Sequence, residues 1–121
     1  MERGTISLSA HPTSPHSARV FVTGQLEEAG RSDVVEVASL LVSELVTNAI
    51  QHAASDVQVH FELRDAVVRV EVADASSRAP LRLVVPEDAE RGRGLQLVEA
   101  LASSWGVDQV PGDGKKVWFE I

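Results

Sequence analysis

The sequence predicts an α+β two-layer sandwich in which helices cover one face of a mixed sheet. Three observations predict it. Val57, Val59, Phe61 and Leu63 alternate with Asp56, Gln58, His60 and Glu62, and Val68, Val70 and Val72 then alternate with Arg69 and Glu71. That is the period of a hairpin with one wet and one buried face. The stretch from Ser32 to about His52 contains neither glycine nor proline and reads as one long helix. Strands and helices segregated in this way pack as separate layers.

In chain order, Thr5 to Leu8 form a short strand. Ser14-Pro15 reads as a helix start, a capping hydroxyl followed by a proline at the first helical position. That helix carries Ala18, Phe21, Val22, Leu26 and Ala29 and is closed by Gly30. The second helix starts at the cap Ser32. The hairpin follows, turning around Arg64 and Asp65. Residues Ala75 to Ala89, with Pro80 and Pro86, read as an irregular loop. A third helix follows Gly94 and ends near Ser104. Val107 to Val110 and Lys116 to Ile121 form a last hairpin across Pro111-Gly112-Asp113-Gly114.

Composition narrows the function. A chain of 121 residues with 44% hydrophobic content is expected to form a single domain, residues 1–121, around one core. The formal net charge is −7, from 18 acidic and 11 basic residues. With no clustered basic face, a direct nucleic-acid partner is excluded. There is no cysteine, hence no disulfide and no thiolate metal site. The four histidines lack a ligand spacing such as H-x-x-x-H. No apolar run approaches the roughly 18 residues of a membrane span, and the amino terminus lacks a signal-peptide core. A cytoplasmic protein without membrane contact is expected.

The most informative feature is Glu44, Asn48 and His52, spaced four apart in the second helix. Such residues line up along one side and drift by roughly 40° per step. Ala38, Leu41, Leu45 and Ala49 share that half of the wheel, so the polar stripe runs into the apolar face. Burying a carboxylate and an amide there is costly without partners. An asparagine oxygen beside a carboxylate suits a hard cation such as Mg²⁺, and the carboxylate could serve as a general base. The other reading is a boundary helix whose Glu44 and Asn48 are solvated, with His52 packing or capping.

Two further features follow. Asp74 ends the Val68-Val70-Val72 strand, where it is either a turn residue or an acceptor for an exocyclic amine such as that of adenine. Gly92-Arg93-Gly94-Leu95 precedes the apolar run Leu95, Val98, Leu101 and Ala102. It is either a hinge or a helix start that turns backbone N–H groups towards an anion. No Walker pattern is present, so a P-loop is excluded.

These residues together resemble a known family. E-L-V-T-N-A-I-Q-H resembles the N box of the GHKL superfamily of histidine kinases, type II topoisomerases and heat-shock chaperones. V-A-D-A-S-S resembles its first glycine box and G-R-G-L its second. The ending G-K-K-V-W-F-E-I is similar to short, stand-alone members of actinobacteria, the anti-sigma-factor serine kinases. The resemblance implies a Bergerat fold, ATP and Mg²⁺ as cofactors, and a catalytic base at Glu44. It implies Asn48 as the protein ligand of Mg²⁺ and Asp74 as the adenine contact. Gly92, Arg93, Gly94 and Leu95 would lie at the phosphates, and Arg19, beside Ala18, would touch protein partners. Those partners would be a sigma factor and an anti-anti-sigma protein phosphorylated on serine, with a homodimer also implied.

The sequence departs from the family at two places. Ser76 stands where the first glycine box has its glycine, and glycine alone reaches φ > 0 freely. Lys116 stands where relatives often carry a threonine that holds adenine through water, and lysine cannot accept a hydrogen bond. The alternative function is therefore a non-catalytic module of the same fold, one that sequesters a sigma or anti-anti-sigma protein with weak nucleotide binding or none.

Overall fold

The computed structural model describes residues 2–53, 55–75, 96–110 and 114–121. In chain order these form β1 (Glu2–Leu8), α1 (Ser14–Glu28), a 3₁₀ turn (Ser32–Val34) and α2 (Val35–Ala53). Next come β2 (Val57–Arg64), β3 (Val67–Asp74), a helical segment α3 at 96–101, β4 (Ser104–Val110) and β5 (Gly114–Glu120).

The strands form one sheet in the order β1-β2-β3-β5-β4. The sheet expected as mixed is antiparallel at each of these pairings. The reason lies in the connections. Two helices separate β1 from β2, so the chain crosses the domain twice and returns antiparallel. β4 does run in the same direction as β3, but β5 sits between them and opposes both.

Alternation sorts the strands as expected. Val57, Val59, Phe61, Val68, Val70, Val72, Val117 and Phe119 are buried on the inner face, against Ala18, Val22 and Leu26 of α1 and Ala38, Leu41, Val42, Leu45, Val46 and Ala49 of α2. At roughly 1.5–3 kcal/mol for each large apolar side chain fully buried, this layer dominates stability. On the outer face Arg69 lies 4.0 Å above the Trp118 ring and bonds Glu71 and Glu120 at 2.9 and 3.2 Å. Burial works against the Arg69 charge, but its hydrogen bonds to Glu71 and Glu120 more than offset this and hold its pKa above the ordinary guanidinium value.

Several boundaries differ from expectation. The cap position of α1 falls on Thr13, because the Ser14 hydroxyl donates instead to the Ser9 carbonyl at 2.7 Å. Gly30 does close α1, at φ +73. Gly30 N–H donates to Glu27 O and Arg31 N–H to Leu26 O, which satisfies the last carbonyls of the helix. Ser32 opens the 3₁₀ turn, and α2 proper starts at Val35. The third helix gives way to β4 at Ser104, three residues before the expected Val107. The irregular loop from Ser76 onward and the turn at 111–113 lie outside the described residues. Among the described residues, no helix is long and apolar enough to cross a membrane.

Candidate functional site

Glu44 sits at the middle of α2 and Asn48 one turn further on, both half-buried at the margin of its apolar stripe. Across the helix, Ser43 Oγ donates to Leu40 O at 3.0 Å and Thr47 Oγ1 to Ser43 O at 2.7 Å. Those hydroxyls are satisfied within their own helix. Asn48 is not, since its buried Nδ2 has no hydrogen-bond partner among the described residues. No hydrogen bond or ion pair holds Glu44 among the described residues either. A buried amide left unpaired costs about 1–3 kcal/mol, so Asn48 Nδ2 is a donor available to an acceptor that the described residues do not supply. His52 falls in the last turn of α2, with its side chain outside the described residues.

The second part of the site is built by β3 and β5. Val68, Val70, Val72 and Asp74 all point inward, so the alternation that buries three valines also carries the aspartate under the helical layer. Asp74 is therefore an inward-facing acceptor at a strand end and not an exposed turn residue. Its Cα partner on β5 is Lys115 and on β2 is Val57. Lys115 Nζ contacts Asp74 Oδ1 at 3.0 Å and Oδ2 at 2.9 Å, with side-chain exposures of 8% and 2%. Gly114 fixes the approach of the strands. Its φ is +91, and an added Cβ would collide with the Asp74 carbonyl oxygen.

One end of the sheet gathers these pieces. α2 ends at Ala53, and Ser55 and Asp56 lead into Val57, the neighbour of Asp74. Ala75 N–H donates to Ser55 Oγ at 3.3 Å, which ties the end of β3 to the chain just after α2. The last turns of α2 and the Asp74–Lys115 pair thus share one rim. Arg19 does not join them. It is exposed on α1, while its neighbour Ala18 is fully buried core.

The position of Lys116 differs from expectation. Lys116 pairs with Ala73 and is exposed, so its side chain lies on the outer face, away from Asp74. The lysine that meets Asp74 is Lys115, which is absent from the residues expected at the site. The period that marks the valines also marks Lys115, since Val117 and Phe119 inward require Lys115 inward. Ser76, Gly92, Arg93, Gly94 and Leu95 lie outside the described residues.

The donor set also bears on a metal. Among the described residues, no group of three or more His, Cys, Asp or Glu could hold an ion by itself. The hard donors on the α2 margin are the Glu44 carboxylate and the Asn48 side-chain oxygen, and Mg²⁺ takes one or two such protein oxygens with phosphate and water for the rest.

The helices cover one face of the sheet, with a polar margin on α2 and an inward carboxylate at the end of β3. The chain belongs to the histidine kinase-like ATPase domain family, whose model matches residues 8–121. Among solved structures it is similar to the RsbU and RsbW domains of Rv1364c from Mycobacterium tuberculosis. That match has a TM-score of 0.76 at 23% identity over 99% of this chain and 32% of the other, and it establishes the fold. It is also similar to the histidine kinase domain of the blue-light activated histidine kinase EL346 from Erythrobacter litoralis. Here the TM-score is 0.57 at 31% identity over 74% of this chain and 45% of the other. The chain thus spans less than half the length of either protein. No curated protein matches it.

Proposed function

We propose that this domain binds ATP with Mg²⁺ in the cytoplasm and transfers the terminal phosphoryl group to a serine of an anti-anti-sigma protein, while also binding a sigma factor. The observation that carries the reading is the buried amide of Asn48, unpartnered among the described residues, on the rim that also holds the inward carboxylate of Asp74. Family membership supports a nucleotide at that rim, and the likeness to an RsbW domain supports partner switching.

Each residue has a distinct role in this reading. Asp74 accepts a hydrogen bond from the base amine and orients the nucleotide. Asn48 would hold Mg²⁺ through its side-chain oxygen, and its amide nitrogen, unpartnered among the described residues, would bond a phosphate oxygen or water. Bound Mg²⁺ supplies charge neutralisation at the phosphates. Glu44, half-buried and unpaired among the described residues, accepts the proton of the attacking serine hydroxyl. Phosphoryl transfer depends mainly on positioning and charge stabilisation, so one base and one metal ligand suffice together with anion-binding backbone. Gly92, Arg93, Gly94 and Leu95 are assigned that last role, and Arg19 the contact with protein partners.

The test is transfer of labelled γ-phosphate from ATP to a purified anti-anti-sigma protein. Label on a serine of the partner, lost in Glu44→Ala, is expected; no label with nucleotide bound contradicts the kinase reading. One observation favours a second reading, a non-catalytic module that sequesters its partner. Both oxygens of Asp74 already hold a lysine ammonium, which weakens the nucleotide site without disturbing the fold. Under that reading the partner binds equally well with and without ATP.

A further inference from the structure

The Asp74–Lys115 pair has no role in the mechanism above, yet it occupies the carboxylate on which that mechanism relies for the base. It is a built feature of the fold. The two residues are ladder partners between β3 and β5. Gly114, at φ +91, brings the β5 backbone against the Asp74 carbonyl more closely than any side chain would allow. Val72 and Val117, the inward neighbours on each strand, are buried, so the pair lies at the edge of an apolar layer. The ammonium spans both oxygens, at 3.0 and 2.9 Å.

We infer that Lys115 is a built-in competitor for the base-reading carboxylate and thereby sets how selectively the site takes a purine nucleotide. The inference rests on the reading of Asp74 as the base contact. A carboxylate offers about four lone-pair positions, and an ammonium at contact distance forms a charge-assisted bond stronger than a neutral amine can form. An adenine amine reaching Asp74 must share the carboxylate with Lys115 or displace it. In either case it gains less than from a carboxylate with no cation on it. The ammonium also brings donors to the same place. A donor suits the carbonyl oxygen of a 6-oxopurine, just as the carboxylate suits the amine of a 6-aminopurine. Both effects reduce discrimination between the two bases.

Calorimetric titration with ATP and with ITP, each with Mg²⁺, tests this in the wild type, Lys115→Met and Lys115→Arg. Methionine keeps the approximate length of the side chain without its charge. The preference for ATP over ITP is expected to rise about tenfold in Lys115→Met, the effect of one improved buried hydrogen bond, and to stay at the wild-type value in Lys115→Arg. An unchanged preference in folded Lys115→Met overturns the inference. Should Lys115→Met fail to fold, Lys115→Gln removes the cation while its amide still bonds Asp74. A smaller rise in the ATP preference is expected of it, and no rise overturns the inference. Binding of ATP to Lys115→Met but not to the wild type supports the inference in its strongest form. Binding of neither nucleotide to any of these proteins removes the nucleotide reading itself, and the inference with it.

Discussion

At the scale of single residues, the site depends on where polar groups meet the apolar layer. Glu44 and Asn48 lie on the margin of α2 and Asp74 on the inward face of β3, and each role assigned to them separates in a mutant. Glu44→Ala should leave ATP affinity within a factor of about three and abolish phosphoryl transfer, because a base acts in the transition state and contributes little to ground-state binding. Equal transfer by the mutant and the wild type would remove Glu44 from the chemistry. Asp74→Asn should act twice. It strands the Lys115 ammonium in a buried setting, lowering stability by about 3–5 kcal/mol in urea unfolding. It also replaces one of two acceptor oxygens with an NH2 donor, weakening ATP by about 1 kcal/mol. A variant as stable as the wild type would show that the pair is solvent-screened. The i, i+4 spacing makes Glu44 and Asn48 legible in the sequence, because helix geometry alone aligns them. Lys115 is legible only indirectly. Two adjacent lysines look alike in composition, and the alternation of Val117 and Phe119 is what turns Lys115 inward and Lys116 outward.

At the scale of elements, the close approach of β3 and β5 positions the aspartate. Gly114 permits it through a positive φ and the absence of a side chain. Gly114→Ala should cost more than the roughly 1 kcal/mol of an ordinary glycine replacement, because the methyl meets backbone that cannot rotate away. A melting temperature unchanged in that variant would mean that the strands separate there at little cost. The element order and the two long helices are readable from apolar periodicity. The edges are less so, for local reasons. Ser103-Ser104-Trp105-Gly106 reads as the end of a helix. Yet Gly106 belongs to β4, where a Cβ would lie 2.6 Å from Trp118 Cζ2. A glycine demanded by a tryptophan on the neighbouring strand is a tertiary signal that no local pattern carries. The antiparallel sheet escapes local reading for a related reason, since insertion of β5 between β3 and β4 is set by packing across the sheet.

At the scale of the whole molecule, one apolar layer between α1, α2 and the sheet holds the rim in place. Phe61, fully buried at the centre of β2, should cost about 3–5 kcal/mol when truncated to alanine, read as a fall in the urea midpoint. A loss below about 1 kcal/mol would place the core elsewhere. The net charge of −7 acts at this scale as well, because an acidic domain gains an anionic ligand only where a cation and local donors offset the general repulsion. That makes the dependence of ATP binding on Mg²⁺ the most direct test of the central claim. Calorimetric titration of the wild type with ATP, with and without Mg²⁺, should show binding that strengthens clearly when Mg²⁺ is present. Absence of binding at millimolar ATP with Mg²⁺ would contradict the claim and leave the fold as a protein-binding module alone.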